Sequence, residues 1–196
     1  SGMARPRNLP REFDTWIGRL TPERSIAPLK AFLDAGGTVV TLGSSTNLAF
    51  HLGLPVKNAL VEKSADGRER ALPDEKFYVP GSILEAEVDN RAPVAWGMGE
   101  RADVYFERSP SFALTEEAAA RGVRAVAWFD RDTPLRSGWA WGQKYLKDSV
   151  TVATAPVGAG TLYLMGSEVA FRGQTHGTMK LLFNALHLAT AKPATP

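Results

Sequence analysis

The chain has 196 residues, 44% of them apolar and 22% charged, which is the range of an ordinary globular domain with enough material for one core. Its net charge of +2 is spread rather than striped, so nucleic-acid binding is not expected despite a pI near 9.0. It holds no cysteine, which excludes disulfides, thiolate metal sites and a sulfur nucleophile, and no apolar run has the ~18 residues that span a bilayer.

Ser1-Gly2 before Met3 reads as a remnant of expression, and residues 1–20, with Pro6, Pro10 and several arginines, as a connecting arm. The α/β domain is expected over residues 21–190. Thr21-Pro22-Glu23 is a helix start, Thr capping and Pro suiting the first position. Ile26, Leu29, Phe32 and Leu33 follow on one face, and Gly36-Gly37 stops the helix. Thr38–Gly43 is a short β-branched run, expected as a central strand of a parallel sheet. A second helix is expected from Thr46 to Leu52, giving a doubly wound grammar. Lys57–Pro80 is polar and reads as a long excursion or hairpin that turns at Asp66-Gly67.

Ser82–Val88 alternates, with Leu84, Ala86 and Val88 on one face and Glu85 and Glu87 on the other. Further strands are expected at Val104–Glu107, Ala125–Asp130, Val150–Ala155 and Thr161–Gly166. The stretch Pro156–Gly160 joins the last two as a hairpin loop. Glu116–Arg121 forms a short helix closed by Gly122. The last helix, Thr178 to Thr190, is apolar around most of its circumference, with Lys180, Asn184 and His187 on a wet edge. Residues 191–196 form a flexible tail.

Three places invite chemistry. The turn Gly43-Ser44-Ser45-Thr46 has the strand-to-helix logic of a nucleophile elbow, but Asn47 stands where a second glycine is needed. Ser45 or Thr46 as a helix cap is the simpler reading. In Arg172-Gly173-Gln174-Thr175-His176-Gly177-Thr178, Arg172, Gln174 and His176 stand at a helix entrance. They either hold a small anion or polar ligand there, or satisfy buried carbonyls and fix the loop, and the second reading is favoured. Trp96, Trp128, Trp139 and Trp141 either stack on sugars or pack in a core or subunit contact. Of these, Trp139 and Trp141 alternate so as to point to one side. The acidic pair Asp130 and Asp132 lacks the glycine and distal glutamate of a calcium loop, and Gly158-Ala159-Gly160 is too short for a dinucleotide fingerprint.

The closing stretch GTLYLMGSEVAFRGQTHGTMKLLFNAL resembles the last strand and helix of the class I glutamine-amidotransferase-like domain that follows the peptidase domain in bacterial zinc carboxypeptidase-like proteins. FLDAGGTVVTLGSSTNLAFHLGLPV, GSILEAEVDNRAPVAWGM and SGWAWGQKYL agree with it, so the resemblance runs from about Leu9 to Leu188. It implies a flavodoxin-like fold, a mostly parallel sheet flanked by helices, possibly lacking its first βα units. It also implies a lost triad. Ser45 stands near the place of the catalytic cysteine, and Glu168 and Ala170 near those of the His-Pro-Glu pair. Related accessory domains carry Arg-Pro-Gln where this chain has Glu168-Val169-Ala170.

The implied function is a noncatalytic accessory domain beside a zinc peptidase, with no cofactor of its own and the zinc ligands outside this sequence. The implied placement is periplasmic or secreted. Its partners would be the peptidase domain and, for the isolated chain, a second copy in a homodimer. The candidate polar site is Ser45, Glu168, Arg172, Gln174 and His176. The alternatives are a serine hydrolase using Ser45 with His176, or a carbohydrate or cell-wall binding module.

Overall fold

The computed structural model describes residues 10–16 and 21–191. Most of the expected arm and the tail therefore lie outside the described residues, apart from a tight helical turn at Arg11–Trp16. A wide helical turn over Pro22–Ile26 is capped by Thr21, whose Oγ1 accepts from the Arg24 amide at 3.2 Å, and it continues into α1, Ala27–Asp34. Leu33 is fully buried, while Phe32 of the same apolar stripe is 54% exposed and lies over Gly37.

The strands are β1 Thr38–Leu42, β2 Val56–Asn58, β3 Val61–Lys63, β4 Glu69–Ala71, β5 Pro80–Val88 and β6 Arg101–Glu107. They continue with β7 Phe112–Leu114, β8 Arg124–Trp128, β9 Leu135–Ser137, β10 Val150–Val157 and β11 Gly160–Met165. The remaining helices are α2 Leu48–His51, α3 Glu116–Ala120 and α4 Met179–Leu188. The main sheet runs β1-β11-β10-β8-β5-β6, with β7, β2 and β9 attached at its sides and β3–β4 as a separate hairpin.

This is not the mostly parallel, flavodoxin-like sheet expected from the sequence. Among the described strands only β1 and β11 run parallel; the other pairings are antiparallel. The cause is in the connections. A parallel pair needs a crossover of a dozen or more residues, usually helical, whereas a two-residue turn forces an antiparallel pair. Between α2 and β10 the only described α-helix is the five-residue α3. Val157 pairs directly with Gly160, so β10 and β11 are joined through Gly158-Ala159 alone. The Pro156–Gly160 hairpin anticipated from sequence is itself what breaks the parallel scheme. Thr38–Leu42, expected in the centre, is an edge strand paired only with β11.

The sheet buries both faces. Leu33, Leu48, Phe112, Leu162 and Leu164 form the core under α1 and α2. Leu84, Phe106, Phe129, Tyr163, Met165 and Leu181 form the core under α4. The last helix is less buried than its composition suggests, with Phe183 at 62% and Leu186 at 52% exposure. Asn184 is not on a wet edge; its Nδ2 donates to the Val94 and Trp96 carbonyls, both at 2.9 Å, and fastens the turn at Pro93–Ala95. No helix among the described residues is long and apolar enough to cross a membrane.

On the outer side of β5, Glu85 meets Arg101, Arg131 and Arg136 at 3.3, 2.8 and 3.6 Å. Arg101 also grips Asp130 with both terminal nitrogens, at 3.1 and 2.6 Å. Hydrogen bonding from that guanidinium pulls the Asp130 carboxyl down to about 2, against the desolvation that would raise it. A carboxyl held low in the fold contributes stability above its unfolded pKa, and that contribution fades as pH falls from about 4 toward the folded value. Asp130→Asn is expected to lower the denaturation midpoint at neutral pH. The gap from the parent chain should close by about pH 2, as read from thermal melts across that range.

Candidate functional site

The C-terminal end of the parallel pair is where an α/β sheet offers a ligand crevice, and a cleft of about 530 Å³ opens there. Its floor is Phe77, Val79 and Phe112, and its rim carries Ser44, Glu107, Arg108 and Glu168. The excursion after β2 supplies the far wall through Leu60, Leu72 and Asp74. That excursion is the hairpin expected at Asp66-Gly67, where Gly67 has φ +79° and the Asp66 carboxylate accepts from the Arg68 amide.

The elbow leaving β1 carries its positive φ at Gly43 (+52°), the conformation in which an elbow displays its nucleophile. Glycine has no side chain to display. A Cβ at this position would lie 2.4 Å from Glu168 Oε1, so the Glu168 carboxylate covers the space a nucleophile's side chain would need. Among the described residues Glu168 makes no side-chain hydrogen bond or ion pair; its amide donates to the Tyr105 carbonyl at 3.1 Å. The sequence puts the nucleophile's place near Ser45, within the turn that Gly43 opens; the structure puts the positive-φ position of that turn at Gly43 itself.

Ser45 is fully engaged. Its Oγ accepts from the Leu42 amide at 2.8 Å and donates to the Leu42 carbonyl at 2.7 Å, and Thr46 donates to the Gly43 carbonyl at 2.7 Å. Both hydroxyls close the end of β1 rather than cap the helix that follows, whose N-cap position, Asn47, has no side-chain cap bond. The five candidate residues do not converge. Glu168 faces the main cleft, Ser45 a groove beside β1, and Gln174 and His176 a third depression with Lys180 and Arg101. Arg172, at φ +48°, lies 5.1 Å over the ring of Phe171, which is stacked on Tyr105 with ring centres 4.9 Å apart. Ser45 and His176 thus open onto different cavities and make no catalytic pair.

The loop that enters α4 is held otherwise than expected. Arg172, Gln174 and His176 are exposed. The carbonyls there are met instead by Thr178, fully buried, whose single Oγ1 proton is shared between Val169 O at 2.8 Å and Thr175 O at 2.7 Å. A second buried pair, Thr151 and Ser167, bonds at 2.5 Å and fixes the start of the loop below β11. Among the described residues no group of three or more metal-ligating side chains is placed to hold an ion.

No family model matches the chain, and no curated protein matches it. Among solved structures, the chain is similar to the β-galactosidase from Bacillus circulans sp. alkalophilus, at 15% identity and a TM-score of 0.42, over 87% of this chain and 22% of that one. It is also similar to a ThuA-like protein from Bacteroides uniformis ATCC 8492, at 10% identity and a TM-score of 0.49, over 90% of this chain and 68% of that one. The chain spans about a fifth of the β-galactosidase's length. Likenesses this distant carry no argument about fold or activity, and neither name points to a carboxypeptidase-associated domain.

Two outcomes follow from this geometry. Ser45→Ala is expected to destabilise by about 1 kcal/mol through the lost closure of β1, and a serine-reactive phosphonate should leave Ser45 unlabelled in the parent chain. In the loop, Thr178→Val should cost about 1–3 kcal/mol because it orphans buried carbonyls. His176→Ala should stay within about 0.5 kcal/mol, as exposed substitutions do, in the same denaturation series.

Proposed function

We propose that this chain is a noncatalytic accessory domain of a zinc carboxypeptidase-like protein, with an assembly role beside the peptidase domain. The observation that carries the reading is the open edge of β1. The Thr161 amide donates to the Gly37 carbonyl at 3.1 Å, which turns the backbone groups of Gly37, Val39 and Thr41 toward β11. Those of Thr38, Val40 and Leu42 then face away from the sheet, because alternate residues point to opposite sides. Ser45 satisfies both groups of Leu42. The amides and carbonyls of Thr38 and Val40 remain, and no strand among the described residues pairs with them.

An unpaired edge invites another strand unless it is charged, bulged or covered, and among the described residues no charged side chain, bulge or strand protects this one. Beside it runs an apolar groove of about 330 Å³ lined by Ile26, Leu29, Val39, Val40 and Leu48. A second copy turned through a two-fold axis at Val39 would set Thr38 opposite Val40 and Val40 opposite Thr38, both as hydrogen-bonded antiparallel pairs. Every free group on the edge then finds a partner. The bare Gly43 and the engaged Ser45 agree with a role without catalysis. In the whole protein the peptidase domain is the neighbour and supplies any zinc chemistry, in a periplasmic or secreted setting.

The isolated chain is expected to dimerise at micromolar concentration, burying roughly 1,000 Å² or more. Thr38→Pro removes an outward amide at the first residue of the strand, where proline is tolerated, and should give a folded 21.2 kDa monomer. Light scattering with circular dichroism decides it. A parent chain that is monomeric, or a Thr38→Pro variant that stays dimeric, would refute the reading.

A further inference from the structure

A second surface, away from the β1 edge, carries aromatic rings that neither core uses. Trp139 is 53% exposed, Trp141 54% and Tyr145 38%. Exposed rings on a mobile loop would mean little, but this segment is fixed on both sides. The Tyr78 amide donates to Trp141 O at 3.0 Å and the Trp141 amide returns a bond to Tyr78 O at 2.9 Å. Ser82 Oγ donates to Trp139 O at 2.6 Å and accepts from the Trp139 amide at 2.9 Å. Gly142 fits only as glycine, since a Cβ there would fall 1.8 Å from Lys76 O.

The pairing sets the direction of the rings. Residues opposite each other in an antiparallel ladder share a face, as does the residue two places along. Tyr78, Trp141 and Trp139 therefore line one face, and the Tyr78–Trp139 ring contact at 5.7 Å agrees. Trp141 Nε1 already donates to Glu75 O at 2.7 Å, so its polar edge is engaged and its faces are what it can offer. Beside Trp141 and Tyr145 lies an open depression of about 660 Å³ bordered by Glu75, Lys76, Asp132, Thr133, Gln143 and Lys144, with Trp139 outside its lining on the face that Trp141 shares.

The geometry points to a saccharide site, in which Trp139, Trp141 and Tyr145 stack on the C–H faces of pyranose rings and the bordering polar groups meet their hydroxyls. The surroundings favour this chemistry over the other two that meet aromatic faces. A nucleic-acid strand needs a positive groove for its phosphates, whereas here Glu75 and Asp132 offset Lys76 and Lys144 and leave no net positive charge. A protein hot spot needs a dry, well-packed pocket, and here the only aliphatic side chain in the lining is Ala140. A pyranose brings an apolar face and a rim of hydroxyls, which is the pattern the surface displays. Preorganisation adds to the case, because rings already fixed lose little entropy on binding.

The test is calorimetry on the intact chain with soluble hexasaccharides of β-linked glucose, xylose and N-acetylglucosamine. At least one should bind saturably. Trp139→Ala and Trp141→Ala should each weaken it on the order of tenfold, the loss of one stacked ring, while Trp139→Tyr, which keeps a ring, should retain most of the affinity. Thr38→Pro should leave binding unchanged, so failure of the edge reading and failure of this one are separable. The proposal is overturned if none of the hexasaccharides binds, or if binding survives both alanine variants with unchanged melting midpoints. It is equally overturned if those variants abolish self-association and no sugar binds, which would make the surface a protein contact.

Discussion

The parallel pairing of β1 with β11 joins the N-terminal helix–strand unit to an otherwise antiparallel body, and among the described residues the sheet reaches β1 through no other strand. It depends on close approach at one end. A Cβ on Gly160 would lie 2.2 Å from Gly37 O and 2.4 Å from Leu33 O, so only glycine lets β11 start there. At the other end Thr41 Oγ1 donates to Tyr163 O at 2.7 Å, a buried side-chain bond that fastens the register. Set in this register, β1 ends beside the loop that follows β11, and Glu168 is brought over Gly43. The same pairing leaves the far side of β1 open. The covered elbow and the free edge are thus two consequences of a single contact.

What was legible in the sequence is the local structure. Thr21 as a cap, the stop at Gly36-Gly37, the Asp66-Gly67 turn and the alternation of Ser82–Val88 depend on neighbours a few residues away, and each has a one-residue physical cause. Strand direction has no such cause. The run Thr38–Leu42 carries the β-branched composition of a buried strand because both its faces are covered by helices, and composition cannot tell a covered edge from a centre. The direction of the other strands was set by connections, and the two-residue turn at Gly158-Ala159 was the informative feature.

The candidate site divides the same way. That Ser45 and Thr46 bond locally was readable, since a hydroxyl after a strand finds nearby backbone, but the bonds run back to Leu42 and Gly43 and not forward to the helix as a cap would. In the loop before α4 the sequence offers three polar side chains for the buried carbonyls, and the structure uses none of them. Arg172, Gln174 and His176 are long or ringed and reach solvent, whereas the short hydroxyl of Thr178 can bond inside a turn while fully buried. Glu168 over Gly43 was out of reach for a different reason. The two are separated along the chain by nearly the whole fold, and only the β1–β11 register brings them together.

The distribution of rigidity separates the two surfaces from the cleft. At Trp139–Trp141 and at the end of β1, backbone groups are held by serine hydroxyls, Ser82 in one place and Ser45 in the other. Each serine both donates to and accepts from one residue, which fixes that residue's carbonyl and amide together. The main cleft is bordered differently: Arg108 and Asp74 meet at 3.4 Å with both side chains more than half exposed, and the Glu168 carboxylate has no hydrogen-bond or ion partner among the described residues. Catalysis calls for the opposite arrangement, with reacting groups locked by supporting hydrogen bonds and oriented before substrate arrives. Here the groups locked in these two places are a strand end and a pair of aromatic rings, while Arg108, Asp74 and Glu168 at the cleft are left loose, unlike the Arg101–Asp130 pair on the outer side of β5.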